Sequence, residues 1–308
     1  MSILQVPSST SVSPTSIRVS PRHLGQMRRA DFCPRCFWYS VALGFRHPFD
    51  MPMAGLMYNM DNFEKRLVDA HFQANGFAPK WIKSLGCAEP VSFPAKMTQE
   101  YPDLGLTLVG MPDAVFAKED GTLCLVDYKT AKYKGADDPF GPGYFAQLWG
   151  YAQLLAHNQI GTVSSAALVY FENTLADYRE KPLDLLTSDG LRVPFKVKIH
   201  PVEIDLAALD ELLKTFRTYV DMPEPPDGGE KCKTCQRLER LFAIEEHLRR
   251  NGRATKTLQD RQGFLRSELS RFDLERRKAL TIESLGWEFE FEDALSHGAD
   301  FIPAGWDI

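Results

Sequence analysis

The chain lacks any apolar run of the length needed to cross a membrane. It also lacks a basic excess: 36 lysines and arginines stand against 41 aspartates and glutamates, a formal net charge of −5. That balance excludes a protein that coats nucleic acid through bulk charge, but not one that gathers basic residues at a site. Cysteine is scarce, six in 308 residues, and no secretory leader stands out, so a disulfide framework is not expected. The default setting is cytoplasmic, with no membrane partner. No internal repeat is visible. What is present, 44% hydrophobic and 25% charged residues, suits a globular chain with one sizeable core and elaborations.

Three segments follow from composition. Residues 1–19 are rich in serine, proline and threonine and read as a mobile tail. Residues 20–237 form the main domain, opening with a helix expected over 21–43 that carries Arg28, Arg29 and Arg35. Residues 238–308 read as a helical extension dense in arginine (Arg253, Arg261, Arg266, Arg271, Arg276, Arg277), where phosphate binding competes with ordinary solvated helix faces.

The segment from Gly110 to Lys129 carries the most chemistry. Residues 106–117 and 122–128 are strand-like and flank Glu119-Asp120-Gly121. A three-residue hairpin loop closes on a left-handed glycine, and Gly121 stands where that residue belongs. Such a loop pairs Lys118 with Thr122 and, counted outward, sets Asp113 opposite Asp127. Lys129, two residues beyond Asp127, then shares their face. A two-residue Asp120-Gly121 loop would slip the register and separate the aspartates. Facing carboxylates repel unless a cation lies between them, and oxygen ligands suit Mg²⁺ or Mn²⁺. A lysine beside them can orient water or stabilise charge developing at phosphorus. The apolar flanks Val115, Leu123, Leu125 and Val126 argue for a covered strand pair rather than a solvated Asp–Lys pair.

The run Gly110-Met111-Pro112-Asp113 followed by Asp127-Tyr128-Lys129 resembles motifs II and III of the PD-(D/E)XK nucleases. Gln147-Leu148-Trp149-Gly150-Tyr151 resembles the QxxxY motif of the RecB-like and Cas4-like branch. It falls on a helix expected from about 144 to 157, after Gly141-Pro142-Gly143 has ended the preceding element; Gln147 and Tyr151 share one helical face. The resemblance implies that these two residues line the site and contact DNA or the lysine. It also implies that the Tyr128 backbone carbonyl assists Asp113 and Asp127 in holding Mg²⁺ or Mn²⁺, and that hydrolysis of a phosphodiester bond leaves a 5′-phosphate.

The family carries a further acid or histidine on an earlier helix, here expected from about Gly55 to Phe72. Met60, Leu67 and Val68 mark its apolar stripe, and Glu64 and His71 fall on it; Asp61, Lys65 and Asp69 lie on another face, where Asp61 and Lys65 pair. A carboxylate on an apolar stripe is costly without a partner, which favours Glu64, with His71 and Asp61 as alternatives. Cas4-like enzymes often place a histidine four residues after a glycine here; this chain has Asn59 at that spacing from Gly55.

Two Cys-x-x-Cys pairs, Cys33/Cys36 and Cys232/Cys235, supply four thiolates, enough for a tetrahedral Zn²⁺ or an iron–sulfur cluster; Cys87 and Cys124 stand alone. Several Cas4-like and AddB-like nucleases clamp the ends of their core with a 4Fe–4S cluster. Their arrangement is one cysteine before the core and three after it, whereas this chain has two and two. A cluster is favoured here, with Zn²⁺ as the alternative, in a structural role.

A strand at 164–171, a strand at 195–204, a helix at 206–220 and a loop at 223–229 leading to Cys232 complete the reading. The order gives an α/β fold, a restriction-endonuclease-like core with a central mixed sheet flanked by helices and a cysteine-clamped helical part. The function expected is a Mg/Mn-dependent deoxyribonuclease acting on single-stranded DNA or DNA ends in repair, recombination or defence, with possible protein partners in a repair or CRISPR-type complex. The alternatives are an inactive DNA-binding or scaffolding subunit, or a sensor built on the cysteines.

Overall fold

The turn at Glu119-Asp120-Gly121 sets the register of the central sheet. Lys118 N–H donates to the Thr122 carbonyl (2.9 Å) and Gly121 N–H to the Lys118 carbonyl (3.0 Å). Gly121 has φ +79°, a left-handed conformation that costs glycine nothing. Asp120 Oδ1 accepts from Thr122 N–H at 2.9 Å and locks the turn. The flanking strands pair from Ala117 with Leu123 to Ala114 with Val126. One further step sets Asp113 opposite Asp127, the register that the three-residue turn requires.

The computed structural model describes residues 16–45 and 55–250. In chain order it runs β1 (Ile17–Val19), α1 (Pro21–Gln26), α2 (Pro34–Ala42), α3 (Gly55–Asn75), α4 (Lys80–Lys83), β2 (Cys87–Pro90), β3 (Met97–Tyr101), β4 (Leu106–Gly110), β5 (Ala114–Lys118), β6 (Leu123–Lys129), α5 (Gly141–His157), β7 (Val163–Asn173), β8 (Leu186–Thr187), β9 (Gly190–Leu191), β10 (Phe195–Val202), α6 (Leu206–Asp221) and α7 (Lys233–Arg250). The central sheet has the order β10-β7-β6-β5-β2. Strands β6 and β7 are parallel and the other neighbours antiparallel, so the sheet is mixed. A smaller sheet, β1-β4-β3, pairs β1 parallel and β3 antiparallel to β4.

Strand β6 is buried on both faces. Leu123 and Leu125 join a core with α1, α2, α5, α6 and the small sheet. Cys124, Val126 and Tyr128 join a second core with Val68 of α3 and Ile82 of α4. Asp127 and Lys129 share the parity of Leu125 and therefore lie on the α5 face. No helix among the described residues is long and apolar enough to cross a membrane.

The fold departs from the sequence reading in several places. The strand-like run 106–117 is two strands in two sheets, broken at Met111-Pro112-Asp113. Pro112 has no N–H for a ladder, so the chain changes sheets there and leaves Asp113 at the joint. The helix expected over 21–43 is two helices, because Cys33 is extended and Pro34 starts α2. Gly141-Pro142-Gly143 opens α5 instead of ending an earlier element; a proline in the first turn forfeits no helical bond. Ile17–Val19 is not tail but a strand paired with Leu106–Leu108 of β4. Helix α7 crosses the boundary expected at 237/238. Residues 1–15 of the tail and 251–308 of the extension, with the six arginines from Arg253 to Arg277, lie outside the described residues.

Candidate active site and four-cysteine cluster

Asp113 sits where β5 has not yet begun. Its Oδ2 accepts the Tyr128 N–H (3.0 Å), which fastens the loop to β6. Its Oδ1 lies 3.0 Å from Lys65 Nζ of α3, and Lys65 also reaches Asp61 Oδ2 at 3.0 Å. Asp127 is 2% exposed, and its Oδ2 lies 2.6 Å from Lys129 Nζ. That short contact is the ion pair that compensates the buried carboxylate. Lys129 Nζ also reaches Gln147 Oε1 at 3.5 Å and lies 4.3 Å over the Tyr144 ring. Gln147 Nε2 in turn donates to the Tyr151 hydroxyl at 3.0 Å. One face of α5 thus holds the lysine and a chain of polar groups.

Glu64 comes from α3, whose Val68 packs on the other face of the sheet. It reaches around the end of β6, where its Oε1 accepts from Thr130 Oγ1 at 2.9 Å. Glu64 is 1% exposed, and its Oε2 has no hydrogen-bond partner. The α3 stripe runs through Glu64 and Val68, whereas Leu67, expected on it, is exposed. His71 bonds the Phe77 carbonyl through Nδ1 (3.0 Å) and packs on the Phe77 ring. Asp61 pairs with Lys65, and its charge also acts on Glu64. The Tyr128 side chain lies in the second core.

Burial sets the protonation of these acids. It pushes the Glu64 carboxyl up to about 7, reinforced by the charges of Asp61 and Asp113 and opposed by Thr130 and Lys65. Burial likewise raises Asp127 to about 6, with Lys129 opposing and Asp113 adding. Burial alone would lower Lys129, but Asp127 and Asp113 outweigh it and hold the ammonium charged. Lys65 is raised for the same reason, by Asp113 and Asp61 against the effect of burial. At neutral pH Asp127 and Lys129 are therefore a charged pair, while Glu64 sits near its midpoint.

The sequence profile of the PD-(D/E)XK nuclease superfamily matches residues 59–240, more than half of the chain. The chain belongs to the PD-(D/E)XK nuclease superfamily. No curated protein matches it. Among solved structures, one titled "Crystal structure of SSO0001" is similar at 12% identity and a TM-score of 0.35, over 71% of this chain and 81% of that one. The superfamily match takes in Glu64, Asp113, Asp127, Lys129, Gln147 and Tyr151 and begins after Cys33 and Cys36.

For a PD-(D/E)XK chain, the glycine before the motif has a packing reason here. A Cβ on Gly110 would lie 2.9 Å from Tyr151 Cε1 and 3.1 Å from Pro21 Cδ. The tyrosine of α5 reaches its place because β4 ends without a side chain. Three residues of the site escaped the sequence reading. Lys65 was visible only as the partner of Asp61, since nothing local announces its second partner across the chain. Thr130 lies just past β6. Tyr144 precedes Gln147 by three residues on the same helix face, a spacing that could have flagged it.

The four cysteines meet at the N-terminus of α2. Cys33 and Cys36 stand at its N-terminus, and Cys232 and Cys235 at the start of α7. Their sulfurs all lie within 4.8 Å of one another. Cys33 accepts from Gly229 N–H at 3.3 Å. Burial raises the Cys33 thiol, but the Gly229 and Cys36 N–H groups and the neighbouring thiols outweigh it and bring it down to about 6. Four thiols at this spacing could hold a metal ion. Cys87 and Cys124 are buried in the second core, apart from it.

Proposed function

We propose that this chain is a divalent-metal-dependent deoxyribonuclease of the RecB-like/Cas4-like kind. The observation that carries the reading is a buried carboxylate oxygen with no partner, Glu64 Oε2, together with the buried Asp127 carboxylate paired to a charged lysine that the QxxxY helix holds. An unpartnered buried carboxylate oxygen is costly, and a hard cation with oxygen ligands satisfies it. The donor set fits Mg²⁺ or Mn²⁺: Asp113, Asp127 and Glu64 supply the side chains, and the Tyr128 backbone carbonyl is the fourth candidate. A cation bound there would neutralise charge on a phosphodiester and favour hydroxide at neutral pH.

The chain's own residues do the rest. Asp127 keeps Lys129 protonated, so the ammonium can orient the attacking water and face the charge that builds at phosphorus. Gln147 fixes the lysine from the side and is itself fixed by Tyr151. Lys65 spans Asp61 and Asp113 and brings a second positive charge beside the phosphate position. Half-buried rings with cations over them border the site: Lys129 on Tyr144, and Arg29 at 4.6 Å and Lys134 at 6.0 Å on Phe140. Rings and cations of this kind suit an unpaired strand, whose bases stack and whose phosphates need charge. Arg29 and Arg35 contribute less free charge than the sequence suggests, because Arg29 pairs with Asp31 and Arg35 with Asp227 and Glu239.

The test is cleavage of end-labelled single-stranded DNA, duplex DNA and RNA of one sequence, with Mg²⁺, Mn²⁺ or EDTA. Metal-dependent cleavage of DNA, fastest on single strands or ends, is expected. Tight binding of the same strands with no cleavage under either metal would favour the inactive binding subunit.

A further inference from the structure

We propose that Cys33, Cys36, Cys232 and Cys235 hold one tetrahedral zinc ion, and that the 4Fe–4S cluster borne by Cas4-like relatives does not fit between them. The spacing decides it. Sulfur pairs Cys33–Cys235, Cys36–Cys232 and Cys36–Cys235 are each 3.5 Å apart, and all four sulfurs fall within 4.8 Å. One zinc with bonds of about 2.3 Å to four thiolates sets tetrahedral sulfur edges of about 3.8 Å, inside that range. In a 4Fe–4S cluster each thiolate binds a different iron, so the whole cubane stands between the sulfurs and drives them much further apart.

The surroundings hold the cage closed. Cys33 and Cys235 are 6% and 4% exposed. Gly229 N–H donates to Cys33 Sγ, an outer contact that fixes a ligand sulfur. Arg35, between the first two cysteines, donates to the Pro226 carbonyl (3.0 Å) and to Glu239 of α7 (3.1 Å). Trp38 Nε1 donates to the Met222 carbonyl at 3.2 Å. These bonds tie α2 to the loop and helix that bring the second pair, and widening the cage for a cluster would break them. Both pairs follow one plan: a cysteine just before a helix and its partner in the first turn.

The ion would close a loop of some two hundred residues, since the bridged cysteines are 196 to 202 positions apart. Its role is that of a staple between the first helices and α7, and no catalytic group touches it.

The test uses the full chain purified anaerobically from iron-replete cells, with metal and acid-labile sulfide analysis and X-ray absorption at the zinc and iron edges. About one zinc per chain is expected, with a single sulfur shell, no metal–metal scattering and no sulfide. Iron and sulfide in comparable amounts with metal–metal scattering would overturn the proposal, and so would a folded protein with four free thiols and no metal. Cys36→Ser is expected to lose most of the zinc; should it fail to fold, the wild-type spectrum still decides. An Asp127→Asn protein should keep its zinc in full, so the staple and the nuclease reading stand or fall separately.

Discussion

Replacing Glu64 by glutamine should stabilise the metal-free protein while removing its function. Burial lifts the Glu64 carboxyl from its ordinary 4.5 to about 7. Between those values the native state holds a proton that the unfolded chain has released, so native stability falls as pH rises through the window. Above pH 7 the full cost is present, on the order of 3 kcal/mol. Glutamine keeps the acceptor for Thr130 Oγ1 and carries no charge, but its amide inherits the unpartnered position of Oε2 at a cost of about 1 kcal/mol. A net gain of about 2 kcal/mol is expected at pH 8, a rise in Tm of roughly 5 °C, shrinking towards zero near pH 5. The assay is urea and thermal unfolding in EDTA at both pH values, repeated with Mn²⁺. Wild type should gain stability from Mn²⁺ by linkage, and Glu64→Gln should gain little. A variant no more stable than wild type at pH 8, or one stabilised by Mn²⁺ as strongly as wild type, would refute the reasoning.

The other predictions concern the lysine and its supports. Lys129→Met should abolish cleavage and, by stranding the buried Asp127, cost about 3 kcal/mol of stability; Asp127→Asn in the same chain should restore most of the stability and none of the activity, read by unfolding and cleavage together. Gly110→Ala should displace Tyr151 and lower kcat at least tenfold with a destabilisation of about 1–3 kcal/mol, whereas unchanged kcat would deny the packing argument. Tyr151→Phe removes the hydroxyl that accepts from Gln147 and should cost about 1 kcal/mol, seen as a modest fall in kcat with KM held. Because Glu64 and Asp127 must shed protons to take a cation, Mn²⁺ affinity by calorimetry should weaken as pH falls from 8 to 5.5, with proton release on binding; a flat profile would count against both acids as ligands.

Much of this site was legible because its logic is local. Glu119-Asp120-Gly121 specifies a turn, the turn specifies a register, and the register brings Asp113 opposite Asp127. Gln147 and Tyr151 lie one helical turn apart and needed only a helix to share a face. Glu64 was readable as an acid on an apolar stripe, although the stripe itself was misplaced by one residue at Leu67. The rest depends on contacts between distant segments. Strand β1 is three residues long and stands only because β4 pairs with it. The break at Pro112 looks like continuous strand until two sheets compete for the segment. Lys65 has an obvious partner in Asp61 and hides a second one in Asp113. The cysteine spacing shows four thiols but not how closely they gather, which is set where α2, the 223–229 loop and α7 converge.

The proposed phosphodiesterase site rests on the aspartates and Lys129. Its most direct measurement is the initial rate of Mn²⁺-dependent cleavage of one end-labelled single strand by wild type and by Asp127→Asn, prepared side by side and matched for fold by circular dichroism. Cleavage by wild type that EDTA stops, with a fall of at least a hundredfold in Asp127→Asn, is the predicted result. Equal rates in the two proteins would rule this site out.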